Sequence, residues 1–172
     1  MMGAGKSTIG PLLAKALDRV FVDSDQEIER ETGRSIAEIF ASEGEPRFRA
    51  LERAVIERLS GQPAVIALGG GALVQPGALG RLGDRGDIVY LRVSPEALLE
   101  RLGDASSRPL LAGLDASERR QRLQALLEAR TPCYEQADLV IEAEASEEEI
   151  VRRIVAALER LGSASGSEER VS

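Results

Sequence analysis

Residues 1–10 read MMGAGKSTIG, and the fold turns on what Gly3, Ala4, Gly5, Lys6, Ser7 and Thr8 are for. They match the back half of the phosphate-loop pattern G-x-x-x-x-G-K-[ST], whose first glycine would fall one position before Met1. Gly3 and Gly5 let the backbone turn its N–H groups inward, toward an anion. Lys6 supplies a mobile charge for the β- and γ-phosphates of a nucleotide, and the Ser7 hydroxyl is a Mg²⁺ ligand by type. The residues next in the chain support the loop. Ile9, Leu12, Leu13, Ala16 and Leu17 share one helical face, so residues 5–17 are predicted helical, with the positive helix end facing the same anion.

The next stretch, RVFVDSD (residues 19–25), reads as a short strand ending in two carboxylates. Ligands of open α/β sheets gather beyond the carboxyl ends of the strands. If this segment stays extended, Asp23 and Asp25 lie on one side, one for a metal and one for a substrate hydroxyl. Residues 24–59 are predicted helical in pieces. Within them, PRFRALE (46–52) sets Arg49 and Glu52 on one helical face. That spacing fits a surface ion pair, and it equally fits a guanidinium clamp for a carboxylate, oriented by the glutamate. PAVIALGGGAL (63–73) is a buried strand running into three glycines, more than a plain turn needs, which lets a ligand approach the backbone closely.

The remaining pattern repeats the alternation. DIVYLRV (87–93) and DLVIE (138–142) read as strands; SPEALLERLG (94–103), residues 116–137 and residues 146–161 read as helices. Four short apolar strands alternating with amphipathic helices predict an α/β protein with a parallel sheet. Residues 104–115 hold small and loop-forming residues that a core cannot anchor, so the segment is predicted to open and close.

Bulk properties exclude several functions. A chain of 172 residues with 43% hydrophobic and 30% charged residues fits one globular domain. A net charge of −7 argues against a general nucleic-acid binder. The absence of histidine removes Ser-His-Asp triads, Cys-His pairs and most zinc sites. The single cysteine, Cys133, forms no internal disulfide, and no apolar run approaches the ~20 residues of a membrane span. A cytoplasmic protein is expected, with no membrane and no nucleic-acid partner.

Taken together, GAGKST (3–8), DSD (23–25), FRALE (48–52), LGGGA (68–72), RPLL (108–111) and EARTPCYEQAD (128–138) stand in the order and spacing of a known family. From Met2 to about Leu161 the chain resembles the shikimate kinases. The resemblance implies the P-loop kinase fold of the nucleoside monophosphate kinases, with a parallel sheet of strand order 2-3-1-4-5 flanked by helices. It implies one domain over residues 1–161, with a substrate-binding segment at about 24–59 and a lid at about 104–115; the Gly- and Ser-rich residues 162–172 read as a flexible tail by composition. A monomer is expected. The implied reaction moves the γ-phosphoryl group of ATP to the 3-hydroxyl of shikimate, on the route to chorismate and the aromatic amino acids, with Mg²⁺.

Residue roles are carried over by motif. Gly3, Ala4, Gly5, Lys6, Ser7 and Thr8 match the phosphate loop; Ser7 and Asp23 match the metal-binding residues, Asp23 through water. Asp25 matches the residue that holds substrate hydroxyls and serves as base. Arg49 and Arg130 match the pair for the shikimate carboxylate, and Gly70 and Gly71 the backbone floor beneath it. Arg108 matches the lid arginine over the phosphates, and Arg101 the side chain beside the adenine. The family pattern also has a hydrophobic strand and a glycine ahead of Met2. The first, central strand is therefore expected to be missing from the sequence as read, from a start placed too late, leaving a gap with unpaired ladder groups on both sides. Two further readings are another small-molecule kinase, such as a gluconate kinase, and a truncated, non-catalytic nucleotide-binding protein.

Overall fold

The computed structural model describes residues 3–102 and 113–168. The elements run α1 (Lys6–Ala16), β1 (Val20–Asp23), α2 (Ser24–Thr32), α3 (Ile36–Leu59), β2 (Ala64–Ala67), α4 (Ala78–Gly83), β3 (Val89–Arg92), α5 (Pro95–Leu102), α6 (Ala116–Tyr134), β4 (Leu139–Glu142) and α7 (Glu147–Glu168). Short β-branched runs make the strands, and several helices start at residues whose side chains satisfy first-turn N–H groups. Ser35 with Glu38, and Asp115 with Glu118, form reciprocal capping boxes on α3 and α6. Ser94 caps α5, its hydroxyl accepting from the Ala97 N–H at 3.3 Å.

All strand pairing is parallel, but it makes two sheets rather than one. β1 pairs with β2, Val20 opposite Ala64 through Asp23 opposite Ala67. β3 pairs with β4, Val89 opposite Leu139 through Arg92 opposite Glu142. Among the described residues, no strand joins β2 to β3. The two pairs are the two outer pairs of the expected order. Helix α1 packs against β1, β2 and α7, which bridges the sheets on one side.

Each pair has its own core. Ile28 of α2 and Ile39 of α3 are fully buried with Phe48, Val55 and Leu59 beside the first sheet. Burying each isoleucine contributes about 1.5–3 kcal/mol. The larger core joins Ile9 and Leu13 of α1 to Tyr90, Leu91, Leu98, Leu123 and Ile154 around the second sheet.

Two expectations need correction, and one element was not foreseen. Asp23 and Asp25 do not lie in one extended segment: Asp23 ends β1 and Asp25 sits in the first turn of α2, because the Asp23 carboxylate accepts from the Asp25 and Gln26 N–H groups and starts the helix there. Residues 162–168, expected in a flexible tail, extend α7, since each residue added to an existing helix gains a hydrogen bond without new nucleation. Helix α4 was hidden from sequence reading by its glycines, which lower helix propensity at Gly80 and Gly83. The expected lid falls mostly on residues 103–112, and these, with Arg108, lie outside the described residues.

The Glu27 carboxylate joins α2 to α3 by accepting from Arg30 at 2.7 Å and Arg58 at 3.2 Å. The Arg30 hydrogen bond leads in holding its pKa down to about 2, from an ordinary 4.5. A folded pKa below the unfolded one gives stability that is present above pH 4.5 and lost as pH falls toward 2. Glu27→Gln is therefore expected to be less stable than the parent at about pH 6, with the difference closing between pH 4.5 and 2. Urea unfolding at a series of pH values measures this; a difference constant across the range would refute it.

Candidate active site

One cavity of about 560 Å³ collects nearly every residue singled out from the sequence. Its floor is the loop before α1. Gly3 and Gly5 have φ of 73° and 87°, a conformation that side chains other than glycine rarely adopt. Helix α1 has no side-chain cap and no acid in its first turn, so the electropositive end of its dipole opens on the cavity. Lys6, Ser7 and Thr8 line the same floor.

The register of the first sheet builds the opposite corner. Asp23 lies level with Ala67, which brings Asp25 beside the glycines that come after β2. Ser24 is fully buried between them, its hydroxyl accepting the Gly69 N–H at 3.1 Å. A Cβ at Gly69 would stand 2.6 Å from Glu52 Oε1 and 2.7 Å from Asp25 Oδ1, so the two carboxylates meet over bare backbone. A Cβ at Gly71 would collide with the Arg49 guanidinium. Gly69 and Gly71 thus make room for the Asp25, Glu52 and Arg49 side chains.

Arg49 is 13% exposed and held on several sides. It donates to Glu52 at 2.8 Å and to Glu45 at 2.9 and 3.1 Å, and its guanidinium lies 5.1 Å from the Phe48 ring centroid. The Arg49–Glu52 spacing is therefore no surface ion pair: Glu52 is 1% exposed, and its Oε1 is buried without a hydrogen-bond partner. Burial raises the Glu52 carboxyl above its ordinary range; Arg49 pulls it down and Asp25 pushes it up. Arg130 of α6 donates to the Gly70 carbonyl at 2.9 Å, and the Tyr134 hydroxyl donates to the same oxygen. Burial raises the Tyr134 phenol, which keeps it a donor.

Two features escaped sequence reading. Ser24 and Tyr134 carry no motif of their own, and only the pairing across chain distances of 45 and 64 residues makes them matter. At the far end of the cavity, Arg101 donates to the Ala143 carbonyl at 2.9 Å, beside Ala145 and Glu147.

Two substitutions test this construction. Gly71→Ala displaces the Arg49 guanidinium, and the KM for an acidic substrate is expected to rise about tenfold, at the scale of a lost charged hydrogen bond. An unchanged KM in steady-state assays would show that Arg49 does not depend on the bare backbone. Ser24→Ala strips the Gly69 N–H of its acceptor and should cost about 1–3 kcal/mol in denaturant unfolding. No loss would mean that this bond is not holding the glycine segment.

Ser7 and Asp23, the residues expected to bind Mg²⁺, line one cavity beside the phosphate loop. Mg²⁺ characteristically takes one or two protein oxygens and completes its shell with waters and substrate phosphates.

Comparison with known proteins gives a consistent result. Residues 2–159 match the family model described as shikimate kinase. The shikimate kinase of Cereibacter sphaeroides is 44% identical over 160 residues, covering 92% of this chain and 79% of the relative. The solved shikimate kinase from Acinetobacter baumannii in complex with shikimate superposes with a TM-score of 0.86 at 40% identity, covering 92% of this chain and 89% of that one. A gluconokinase from Sinorhizobium meliloti superposes with a TM-score of 0.65 at 26% identity, covering 96% and 91%.

Proposed function

This chain belongs to the shikimate kinase family, and on that premise we propose that its cavity transfers the terminal phosphoryl group of ATP to the 3-hydroxyl of shikimate. The observation that carries the reading is a single cavity with a phosphate floor at one end and an Asp25–Arg49–Arg130 corner at the other. That arrangement would hold the two reactants side by side, and positioning is most of what phosphoryl transfer requires.

Each residue has a role in this reading. The N–H groups around Gly5 and the Lys6 ammonium gather the β- and γ-phosphates. Arg49 and Arg130 bind the carboxylate of shikimate, with Gly70 and Gly71 as the backbone beneath it. Asp25 holds the substrate hydroxyls and accepts the proton as the oxygen attacks phosphorus. Arg101, with the backbone near Ala143, faces the base of the nucleotide. Arg108 would close over the phosphates from the lid. Ser7, and Asp23 through water, would hold Mg²⁺, which would supply positive charge against the phosphates. The protein works as a cytoplasmic monomer in this reading; none of the described helices is long and apolar enough to cross a membrane.

A coupled ADP-release assay with shikimate, and with gluconate as the competing polyhydroxy acid, tests the proposal. Turnover on shikimate alone, with phosphate on the 3-oxygen by NMR, is expected. Turnover on gluconate alone would assign the chain's chemistry to the other kinase, and ATP binding without either reaction would make it a non-catalytic binder.

A further inference from the structure

The Arg49 guanidinium already holds a carboxylate on one whole edge. Its Nε and Nη2 both donate to Glu45 Oε1, at 3.1 and 2.9 Å. Its Nη1 donates to Glu52 Oε2 at 2.8 Å. Three of the five N–H donors are thus spent within the protein. The Glu45 contact is also the poorer kind of carboxylate pair, because one oxygen serves two donors. A parallel fork gives each N–H an oxygen of its own.

Charge makes this occupation matter. At this corner Asp25, Glu45 and Glu52 outnumber Arg49 and Arg130. An anionic ligand added to that set meets net repulsion unless a carboxylate withdraws. Asp25 and Glu52 are packed together over Gly69, and Glu52 is fully buried, so neither can withdraw into water. Glu45 differs. Its side chain is 60% exposed, against 13% for Arg49. It can trade the guanidinium for water at the modest cost of a surface ion pair. Arg49, largely buried, needs a partner at all times.

The backbone suits such a withdrawal. Gly44 interrupts α3 with φ 78° and ψ 173°, a positive-φ conformation that favours glycine. Glu45 therefore opens the helical segment that carries Arg49, one turn ahead of it, and is not locked inside a continuous helix. Arg49 lines the active-site cavity and Glu45 does not, so Glu45 draws this edge of the guanidinium away from the acid site.

We propose that Glu45 is a displaceable stand-in for the substrate carboxylate: it keeps Arg49 paired in the empty site and yields the guanidinium edge to an incoming acid. Glu45 is then a specificity-determining residue. A ligand with a carboxylate replaces the contact it breaks and improves it to a parallel fork, whereas a neutral polyol offers the fork nothing. The inference rests on the reading of Arg49 as the carboxylate clamp.

Glu45→Gln keeps the shape of the side chain and removes its charge. In calorimetric titrations of the full 172-residue chain, this variant is expected to bind shikimate about two- to fivefold more tightly than the parent, the scale of one exposed ion pair. Its affinity for the amide of shikimate, which lacks the charge, should match the parent's. Weaker or equal binding of shikimate would overturn the proposal, since Glu45 would then be steadying Arg49 or merely decorating the surface. Equal tightening toward acid and amide would overturn it too, as a general change in the site. Arg49→Lys separates the premise from the inference. It keeps a charge and loses the fork, so shikimate affinity is expected to fall about tenfold. If that affinity held, the clamp reading would fail and take the inference with it; if it fell while Glu45→Gln changed nothing, the inference alone would fail.

Discussion

Asp25→Asn lowers kcat on shikimate by about 10²- to 10⁴-fold and leaves ATP binding intact. The substitution preserves shape and the ability to hold a hydroxyl, and removes only the capacity to take its proton. Asp25 is placed in the first turn of α2 by the Asp23 cap, and its Oδ1 lies over Gly69 beside Glu52. That close packing makes a second result specific. Asp25→Glu restores little, because one more methylene drives the carboxylate into the Gly69 backbone and the Glu52 carboxyl. Single-turnover kinetics with separately measured nucleotide affinity would check both. If Asp25→Asn retained more than a tenth of the parental rate, the proton would have to leave by another route.

Lys6→Met carries the other large effect. Methionine keeps the length of the side chain and loses its charge, so the chain folds as before while the phosphates lose their ammonium. A loss of about 10²- to 10³-fold in kcat/KM for ATP is expected, the scale of removing one preorganised electrostatic contact from a site where charge develops. Lys6→Arg should recover little, since a planar guanidinium cannot reproduce a compact point charge inside a tight loop. A Lys6→Met enzyme within fivefold of the parent would place the phosphates elsewhere in the cavity.

Much of this site was legible in the sequence because its chemistry depends on residue types at short spacing. Lys6 comes directly after a glycine and opens a helix, and Arg49 stands one helical turn before Glu52. Those relations survive without knowledge of the rest of the chain. The comparisons agree on the family that the six motifs suggested, and the strand-and-helix alternation marked the parallel pairing. The reading was weaker where one short pattern serves two backbone states. Asp23 and Asp25 could be extended or split between strand and helix, and the Asp23 cap decided the second. Helix α4, with Gly80 and Gly83 inside it, carried no pattern that marked it as helical.

Sequence by itself determined the phosphate floor, the amphipathic faces and the family, because each is set by local periodicity or by residues a few positions apart. Tertiary structure alone decided that Glu52 is buried against Arg49, that Gly69 and Gly71 leave room for Glu52, Asp25 and Arg49, and that Ser24 and Tyr134 hold the glycine segment from far along the chain. A gap in the sheet was already expected from the family pattern, and among the described residues it falls between β2 and β3. The physical reason is the same in each case. Burial and ladder pairing are properties of surfaces brought together from distant segments, and no residue carries them until its neighbours arrive.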